Sequence, residues 1–202
     1  MNILITSNFK KYHKTYIDFI DHYWINYFDK RNYVFNQLPN SIKISQKILR
    51  TTKKIDLIIL PGGNDIMKKD KYSKTRLKVE QNVINYGLKR NIPILGVCRG
   101  MQVINYFFNG KIDRVYGHMK RNHNIYTNKN IFGKSKYYVN SYHNFGIKRV
   151  SKSKKFNTLA IDKNNNIEMF KHEKKKIYGV MWHPERTNNF RILDKIIKLL
   201  LK

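Results

Sequence analysis

The chain has 202 residues, 41% of them hydrophobic, and a formal net charge of +28. This length and composition are typical of one domain with an ordinary core, so we expect residues 1–202 to form a single domain. The lone cysteine excludes an internal disulfide bond. The apolar run near the N-terminus is too short for a signal peptide, and no segment has the roughly 20 apolar residues of a membrane span. We therefore expect a cytoplasmic protein with a reduced thiol.

The positive charge is spread along the whole chain. Lysines occur from Lys10 to Lys202 without a basic block or a helical stripe, and they accompany many Asn, Ile and Tyr residues and a single alanine. This pattern is typical of an AT-rich coding bias acting on solvated positions. A concentrated basic surface would indicate nucleic-acid binding. The even distribution does not, so neither a nucleic acid nor a membrane is an expected partner.

Apolar runs alternate with segments of helical spacing in the first half of the chain. Residues 3–6 predict a first strand, and an aromatic-rich set then recurs at helical spacing: Tyr16, Phe19, Ile20, Tyr23, Trp24 and Tyr27. Residues 55–60 and 92–97 predict two more strands, and between them lies a helix pattern formed by Leu77, Val83, Ile84 and Leu88. Strands without alternation are typical of parallel sheets that are covered on both faces.

The second half of the chain has shorter, alternating runs. Residues 137–140, 157–161 and 177–182 predict strands, and the three asparagines at 164–166 predict a hairpin turn. A closing helix places five apolar residues on one face: Ile192, Leu193, Ile196, Ile197 and Leu200. The alternation of strands and helices predicts an α/β fold with βαβ units.

Cys98 lies between two glycines, in the sequence Gly96-Val97-Cys98-Arg99-Gly100, where a strand pattern changes into a helix pattern. This is the spacing of a nucleophile elbow, in which the glycines permit a tight turn that projects the central side chain. The amides and dipole of the helix start favour a thiolate over a thiol. The segment therefore predicts a nucleophile for acyl transfer.

Two other segments follow predicted strands. Pro61-Gly62-Gly63 ends a parallel strand, where free glycine N–H groups suit an oxyanion hole; an ordinary Pro-Gly turn is the alternative. His183-Pro184-Glu185 ends the strand at residues 177–182. Because Pro184 favours an extended residue before it, His183 and Glu185 are expected on the same side, as the base half of a Cys-His-Glu triad.

Residues 139–148, with the sequence VNSYHNFGIK, contain a rival base, His143. From their spacing alone, these residues equally fit ordinary edge-strand and turn chemistry. Five histidines have no comparable context and are interpreted as surface or structural residues: His13, His22, His118, His123 and His172. The sequence contains neither a glycine-rich P-loop nor a recognisable metal-ligand cluster, so no metal or cofactor is expected.

The motifs PGGND, GVCRGMQ, VNSYHNFGIK and GVMWHPE occur in one order along the chain. Together they resemble the class I glutamine amidotransferase superfamily, and within it the γ-glutamyl hydrolase, peptidase C26-like branch. The resemblance implies a three-layer α/β sandwich with a mostly parallel central sheet, of the flavodoxin-like kind. It also implies a small-molecule γ-glutamyl substrate.

The resemblance also implies a role for each residue of these motifs. Cys98 is the nucleophile, His183 the base and Glu185 the residue that orients it. The N–H groups of Gly63 and Arg99 form the oxyanion hole. A second set of residues binds the glutamyl group: Gln102, Ser141, Tyr142 and His143. The implied reaction is hydrolysis of a γ-glutamyl amide through a thioester, releasing glutamate.

The possible functions of the protein differ in the leaving group of the substrate and in the need for a partner. Arg99 after the cysteine is typical of several γ-glutamyl hydrolases, and residues 18–28 resemble short enzymes encoded near bacterial capsule and surface-polysaccharide genes. With the excess of cations, these features favour a phosphate-bearing substrate such as γ-glutamyl-CDP-amidate. One rival is a glutaminase subunit that supplies ammonia to a separate synthase partner. The other is a catalytically idle binding module, which the intact triad residues argue against.

Overall fold

The computed structural model describes residues 1–127, 131 and 133–202. Within these residues there are five α-helices: α1 (His22–Lys30), α2 (Ile42–Thr51), α3 (Lys71–Arg90), α4 (Arg99–Phe107) and α5 (Arg191–Leu201). The strands of the first half are β1 (Asn2–Thr6), β2 (Asn8–Tyr12), β3 (Thr15–Phe19), β4 (Val34–Leu38), β5 (Leu57–Leu60) and β6 (Ile94–Val97). Those of the second half are β7 (Asp113–Arg114), β8 (Met119–Thr127), β9 (Lys136–Tyr142), β10 (Phe145–Gly146), β11 (Phe156–Ile161), β12 (Ile167–His172) and β13 (Ile177–Val180).

Nine of the described strands form one sheet in the order β4-β1-β5-β6-β13-β12-β11-β8-β9. The pairs from β4 to β13 are parallel, and the pairs from β13 to β9 are antiparallel. Because parallel strands end at the same edge, the segments after β5, β6 and β13 meet there. The α/β prediction and the mostly parallel centre of the sheet are confirmed.

Helices cover both faces of the sheet. On one face α1 and α5 bury Trp24, Phe28, Leu193 and Ile196 against the strands. On the other face α2, α3 and α4 contribute a second cluster of buried residues, such as Leu49, Val83 and Ile104. Full burial of one such side chain contributes about 1.5–3 kcal/mol, so these clusters stabilise the packing of the helices on both faces of the sheet. The predicted apolar face of the closing helix is confirmed, with Ile192 partly buried at its edge.

The single helical pattern predicted from Tyr16 to Tyr27 is wrong in its first half. Strands β2 and β3 form a hairpin instead, with Asn8 paired to Phe19, and the helix begins only after Asp21, whose side chain accepts a hydrogen bond from the Tyr23 N–H. Tyr16 stacks on Tyr72 of α3, with ring centroids 3.6 Å apart. The apparent periodicity therefore joins two elements, and the aromatic and β-branched residues at 15–17 follow their strand preference.

The later elements agree more closely with the sequence. Strands β9 and β11 include the runs predicted at 137–140 and 157–161, whereas β13 ends at Val180, two residues before the end of the run predicted at 177–182. Asn164–Asn166 lies in the connection between the antiparallel strands β11 and β12. Strand β4 and helix α2 were not predicted, because neither has a continuous apolar run. None of the helices in the described part of the chain is long and apolar enough to cross a membrane.

Candidate active site

Cys98 occupies the sharp turn between β6 and α4. Its backbone has φ +50° and ψ −106°, which is a strained conformation for a non-glycine residue, at a cost of about 1–3 kcal/mol. The Cys98 N–H donates to the Val180 carbonyl at 2.7 Å and so fixes the turn against β13. A Cβ at Gly100 would overlap the Leu60 carbonyl oxygen, and one at Gly96 would lie 2.6 Å from the backbone of Gly100. Both flanking glycines are therefore required by the close approach of the main chain.

His183 and Glu185 follow β13 and are both buried. The backbone of His183 has φ −109° and ψ 84°, outside the extended region that Pro184 was expected to favour, and Pro184–Arg186 forms a single 3-10 turn. This turn brings Glu185 Oε1 to 2.7 Å from His183 Nδ1. Asn140 of β9 binds the main chain of His183 on both sides, accepting from its N–H at 2.8 Å and donating to its carbonyl at 2.9 Å. The imidazole is therefore held by its own backbone and by the carboxylate.

The edge of the His183 imidazole opposite Glu185 faces Cys98, and both side chains lie next to Gly62. A Cβ added to Gly62 would lie 2.5 Å from His183 Cε1, 3.3 Å from His183 Nε2 and 3.3 Å from Cys98 Cβ. Burial alone would lower the pKa of His183, but the Glu185 carboxylate and the Cys98 thiolate raise it to about 10. The imidazolium form is therefore favoured at neutral pH, as in a thiolate–imidazolium pair.

The two predicted oxyanion donors lie beside the thiol. Gly63 has φ +123°, a conformation that favours glycine. Arg99 is the first residue of α4, so its N–H has no acceptor within the helix. Neither N–H donates to the main chain of a described residue, and both residues line one cavity together with Cys98. This arrangement can present two N–H groups to a developing oxyanion.

A buried ion-pair network supports the Gly62–Gly63 loop. Arg76 Nη2 donates to the carbonyls of Pro61 and Gly62 at 3.3 and 3.2 Å, and Arg76 Nε donates to Glu80 at 3.0 Å. The second oxygen of Glu80 accepts from Arg99 Nη2 at 2.7 Å. This network was not predicted from the sequence, although Arg76 and Glu80 have the i,i+4 spacing of a helical ion pair. The network therefore connects the Gly62–Gly63 loop to Arg99, the residue that follows Cys98.

The cavity beside Cys98 has a volume of about 150 Å³. Gln102, Tyr142 and His143 line it, whereas Ser141 is fully buried behind it, with Oγ 3.3 Å from His143 Nδ1. Gln102 Nε2 donates to the Phe145 carbonyl at 2.6 Å, which fixes the segment that forms the opposite wall. Three of the four predicted glutamyl-binding residues are therefore in position to contact a ligand.

The rival base, His143, has different surroundings from His183. Burial, assisted by the neighbouring histidines, lowers the pKa of His143 to about 3, so the ring is neutral at pH 7. Its Nδ1 faces the hydroxyl of Ser141, whereas His183 Nδ1 faces a carboxylate. The geometry therefore favours His183 as the base and leaves His143 as a neutral hydrogen-bonding group in the cavity wall.

Comparison with known proteins agrees with this site. Residues 15–193 match the family model described as "Glutamine amidotransferase class-I". The chain belongs to this family. It is 36% identical over 171 residues to γ-glutamyl-CDP-amidate hydrolase of Campylobacter jejuni, covering 82% of this chain and 80% of that protein. It is 30% identical over 152 residues to a glutamine-hydrolyzing GMP synthase component of Methanocaldococcus jannaschii, covering 73% of each chain.

Solved structures show the same fold. A glutamine amidotransferase from Thermotoga maritima superposes with a TM-score of 0.69 at 16% identity, covering 98% of this chain and 81% of that one. The resemblance to class I glutamine amidotransferases that the four motifs indicated is therefore confirmed. The relatives, one named as a hydrolase and one as glutamine-hydrolyzing, support a C–N hydrolase acting on a glutamyl amide.

Two sequence features, Arg99 and residues 18–28, favoured a phosphate-bearing leaving group, but their positions in the structure give that choice little support. The Arg99 guanidinium is buried and paired with Glu80, a carboxylate that it shares with Arg76, so it is not a free cation directed at a ligand. Residues 18–28 form the end of β3 and most of α1, and none of them lines the cavity beside Cys98. The assignment of the substrate must therefore rest on other groups.

A second cluster of titratable side chains was also missed. His118 and His123, interpreted from the sequence as surface or structural residues, come together with Glu168 of β12 and could hold a metal ion. His118 and Glu168 are buried, and His123 is partly buried. His172 is buried as well, and its Nδ1 accepts two backbone N–H groups, from Lys174 and Lys175. His118 and His123 are about 45–50 residues from Glu168 in sequence, so no local motif indicates that the three side chains come together.

Proposed function

We propose that this protein is a cysteine-dependent hydrolase that cleaves a γ-glutamyl amide bond and releases glutamate. The observation that carries the proposal is the meeting of Cys98 and His183 around Gly62, with Glu185 on the far nitrogen of the imidazole. A nucleophile, a base and a residue that orients the base, within reach of one another, are the parts that acyl transfer needs.

In the first half of the reaction, the Cys98 thiolate attacks the γ-carbonyl carbon and forms a C–S bond. The carbonyl oxygen becomes an oxyanion, which accepts hydrogen bonds from the Gly63 and Arg99 N–H groups. The C–N bond then breaks as the His183 imidazolium gives its proton to the departing nitrogen. The product of this half is a γ-glutamyl thioester on Cys98 and a free amine or amidate.

In the second half, the neutral His183 removes a proton from a water molecule, which attacks the thioester carbonyl. Collapse of the second oxyanion breaks the C–S bond, releases glutamate and restores the thiolate–imidazolium pair. Glu185 keeps the imidazole oriented and stabilises its positive charge in both halves. Gln102, Tyr142 and His143 are proposed to bind the α-amino and α-carboxylate groups, with Ser141 positioning His143.

For the leaving group we propose a nucleotide-linked amidate such as γ-glutamyl-CDP-amidate, as used in the synthesis of capsule or surface polysaccharides. The 36% identity to an enzyme named for that substrate supports this choice. The similarity to glutamine-hydrolyzing components of GMP synthase supports the second candidate, a glutaminase that works with a separate synthase partner. Both candidates use the same triad and differ in their dependence on a partner.

The test is to incubate the purified protein alone with glutamine, a γ-glutamyl amine and γ-glutamyl-CDP-amidate, and to measure glutamate release. We expect turnover of the nucleotide-linked substrate without a second protein. Cys98→Ala is the matched control for non-enzymatic hydrolysis. If glutamine is hydrolysed efficiently only after a synthase is added, the glutaminase function replaces the one proposed.

A further inference from the structure

His118, His123 and Glu168 bring three potential metal ligands together outside the triad. One ligand atom from each lies within 4.8 Å of the others. Glu168 Oε1 is 3.4 Å from His123 Nε2 and 3.9 Å from His118 Nδ1. The chain thus gathers two imidazoles and one carboxylate from segments that are about 45 residues apart in sequence. The combination of His nitrogen and carboxylate oxygen is a donor set that suits Zn²⁺ and related divalent metals.

A β-bulge lies between the two histidines, because His118 immediately precedes β8 and His123 lies within it. Along a regular strand, residues five positions apart point to opposite faces. In β8 the register shifts between Met119, paired with Tyr142, and Arg121, paired with Ser141, so that Lys120 is an extra residue. Lys120 has φ +53°, a conformation that side chains rarely adopt. The extra residue changes the alternation of side chains at the start of β8, directly after His118, and bulges commonly redirect side chains at functional sites.

The tautomer of His118 is set by a second carboxylate. His118 Nε2 lies 3.0 Å from Asp162 Oδ2, so the proton of the neutral ring is on Nε2 and the lone pair of Nδ1 is directed toward Glu168. Asp162 is itself held by the asparagine turn, through the N–H groups of Asn164 and Asn166 and the side chain of Asn166. A carboxylate that accepts from the outer nitrogen is the usual support of a metal-binding histidine.

The facing atoms of the cluster make no well-aligned hydrogen bond to a described residue, although His123 Nε2 and Glu168 Oε1 are within ion-pair distance. These atoms are His118 Nδ1, both nitrogens of His123 and both oxygens of Glu168, which is fully buried. Buried polar atoms are rarely left unpaired, because each one costs free energy. A proton shared between His123 and Glu168 would leave His118 Nδ1 without a partner. One metal cation, in contrast, can be bound by one atom from each of the three residues.

We infer that His118, His123 and Glu168 form a binding site for one divalent first-row transition metal of the Zn²⁺ type, with Asp162 as its outer carboxylate. His118 and His123 also line a cavity of about 450 Å³, from which a further ligand reaches the metal. His118 stacks on His143, with ring centroids 4.7 Å apart, so the metal stiffens the wall of the cleft beside Cys98. The site does not depend on the reaction assigned to the triad.

The test measures metal binding by the full chain, purified without a histidine tag and dialysed against a chelator. Zn²⁺ and Co²⁺ are titrated by calorimetry, with the visible spectrum of Co²⁺ as a report on its ligands, and bound metal is counted by mass spectrometry. We expect one metal per chain. The titrations are repeated on Cys98→Ala, because thiolates attract Zn²⁺, and we expect the same stoichiometry in that variant.

His123→Ala and Glu168→Gln should each weaken Zn²⁺ binding by at least 100-fold, and Asp162→Asn by about 10–100-fold, as for other outer-shell carboxylates. His22→Ala, which removes an exposed histidine in α1, is the matched control and should bind like the wild type. Circular dichroism checks the fold of each variant, and Asp162→Asn serves if a ligand variant does not fold. The site is refuted if the wild type binds neither metal at micromolar concentration, or if binding is lost in Cys98→Ala or unchanged in folded ligand variants.

Discussion

The two halves of the sheet use different means to build the cleft. The parallel half, from β4 to β13, contributes the thiol of Cys98 on a strained turn, the N–H groups of Gly63 and Arg99, and the buried His183–Glu185 pair after its last strand. The antiparallel half, from β12 to β9, contributes side chains, notably His143 and the cluster around Glu168. Reaction chemistry is therefore expected to depend on the parallel half, and substrate recognition on the antiparallel half.

The sharpest test of this division is Cys98→Ala. Loss of the thiol should abolish turnover, because no other described side chain at the cavity is a comparable nucleophile. The fold should persist, because the change removes one small side chain at the edge of a cavity. It does not remove any contact on which the sheet depends. Mass spectrometry of the wild type with substrate should detect the γ-glutamyl thioester. Normal turnover by the alanine variant would exclude the proposed mechanism.

The next largest effect should separate the two histidines of the cleft. His183→Ala, at the end of the parallel half, should lower kcat by about 10³-fold or more, as when a triad member is lost. His143→Ala, in the antiparallel half, should act mainly on KM, because a neutral buried ring can bind substrate but has no carboxylate to orient it. Steady-state kinetics of both variants decides the assignment. A larger loss of kcat in His143→Ala would reverse the roles.

The parallel and antiparallel halves of the sheet also differ in how far they could be predicted from the sequence. Most of the parallel half was predictable because its strands other than β4 are continuous apolar runs. The motifs that follow three of them, around Gly63, Cys98 and His183, meet at one sheet edge by the geometry of parallel strands. The cluster of the antiparallel half depends on a bulge at Lys120 and on pairing across three strands. Neither leaves a local pattern, so His118 and His123 looked isolated in the sequence. That the triad residues catalyse the reaction stays a prediction.

A third prediction concerns the network beneath the oxyanion loop. Arg76→Met should destabilise the fold by about 3–5 kcal/mol, because it leaves the Glu80 carboxylate buried with one partner fewer. It should also lower kcat more than it raises KM, because the carbonyls of Pro61 and Gly62 lose their donor. Arg31→Met, which breaks a half-exposed pair with Asp194, is the matched control and should cost about 1 kcal/mol or less. Denaturant unfolding and kinetics measure both; equal effects of the two variants would contradict the role of the network.

A fourth prediction uses the pH dependence of His183. Burial lowers its pKa, yet Glu185 and Cys98 raise it from 6.5 to about 10. A raised pKa in the folded state contributes stability that is fully present below pH 6.5 and is lost as the pH rises toward 10. The free energy of unfolding should fall over that range, and kcat/KM should have an alkaline limb near pH 10. In Cys98→Ala one of the raising charges is gone, so NMR titration should give His183 a lower pKa. An unchanged value would mean that the thiolate does not face the imidazole.

The smallest expected effect concerns the charge of the substrate. The guanidinium of Arg99 is buried against Glu80, so attraction of a phosphate-bearing leaving group is expected to come mainly from exposed cations, such as Arg121 on the antiparallel half. Arg121 pairs across the sheet with Ser141, two residues from His143. Exposed charges act over a Debye length of about 8 Å at physiological ionic strength. Added salt should therefore lower kcat/KM for γ-glutamyl-CDP-amidate by about threefold and leave a neutral γ-glutamyl amine almost unchanged. Arg121→Gln should remove part of this salt dependence, whereas Lys78→Gln, on the exposed surface of α3, should not. An equal response of both substrates would mean that the positive charge reflects coding bias alone and that recognition rests on the uncharged groups of the cleft.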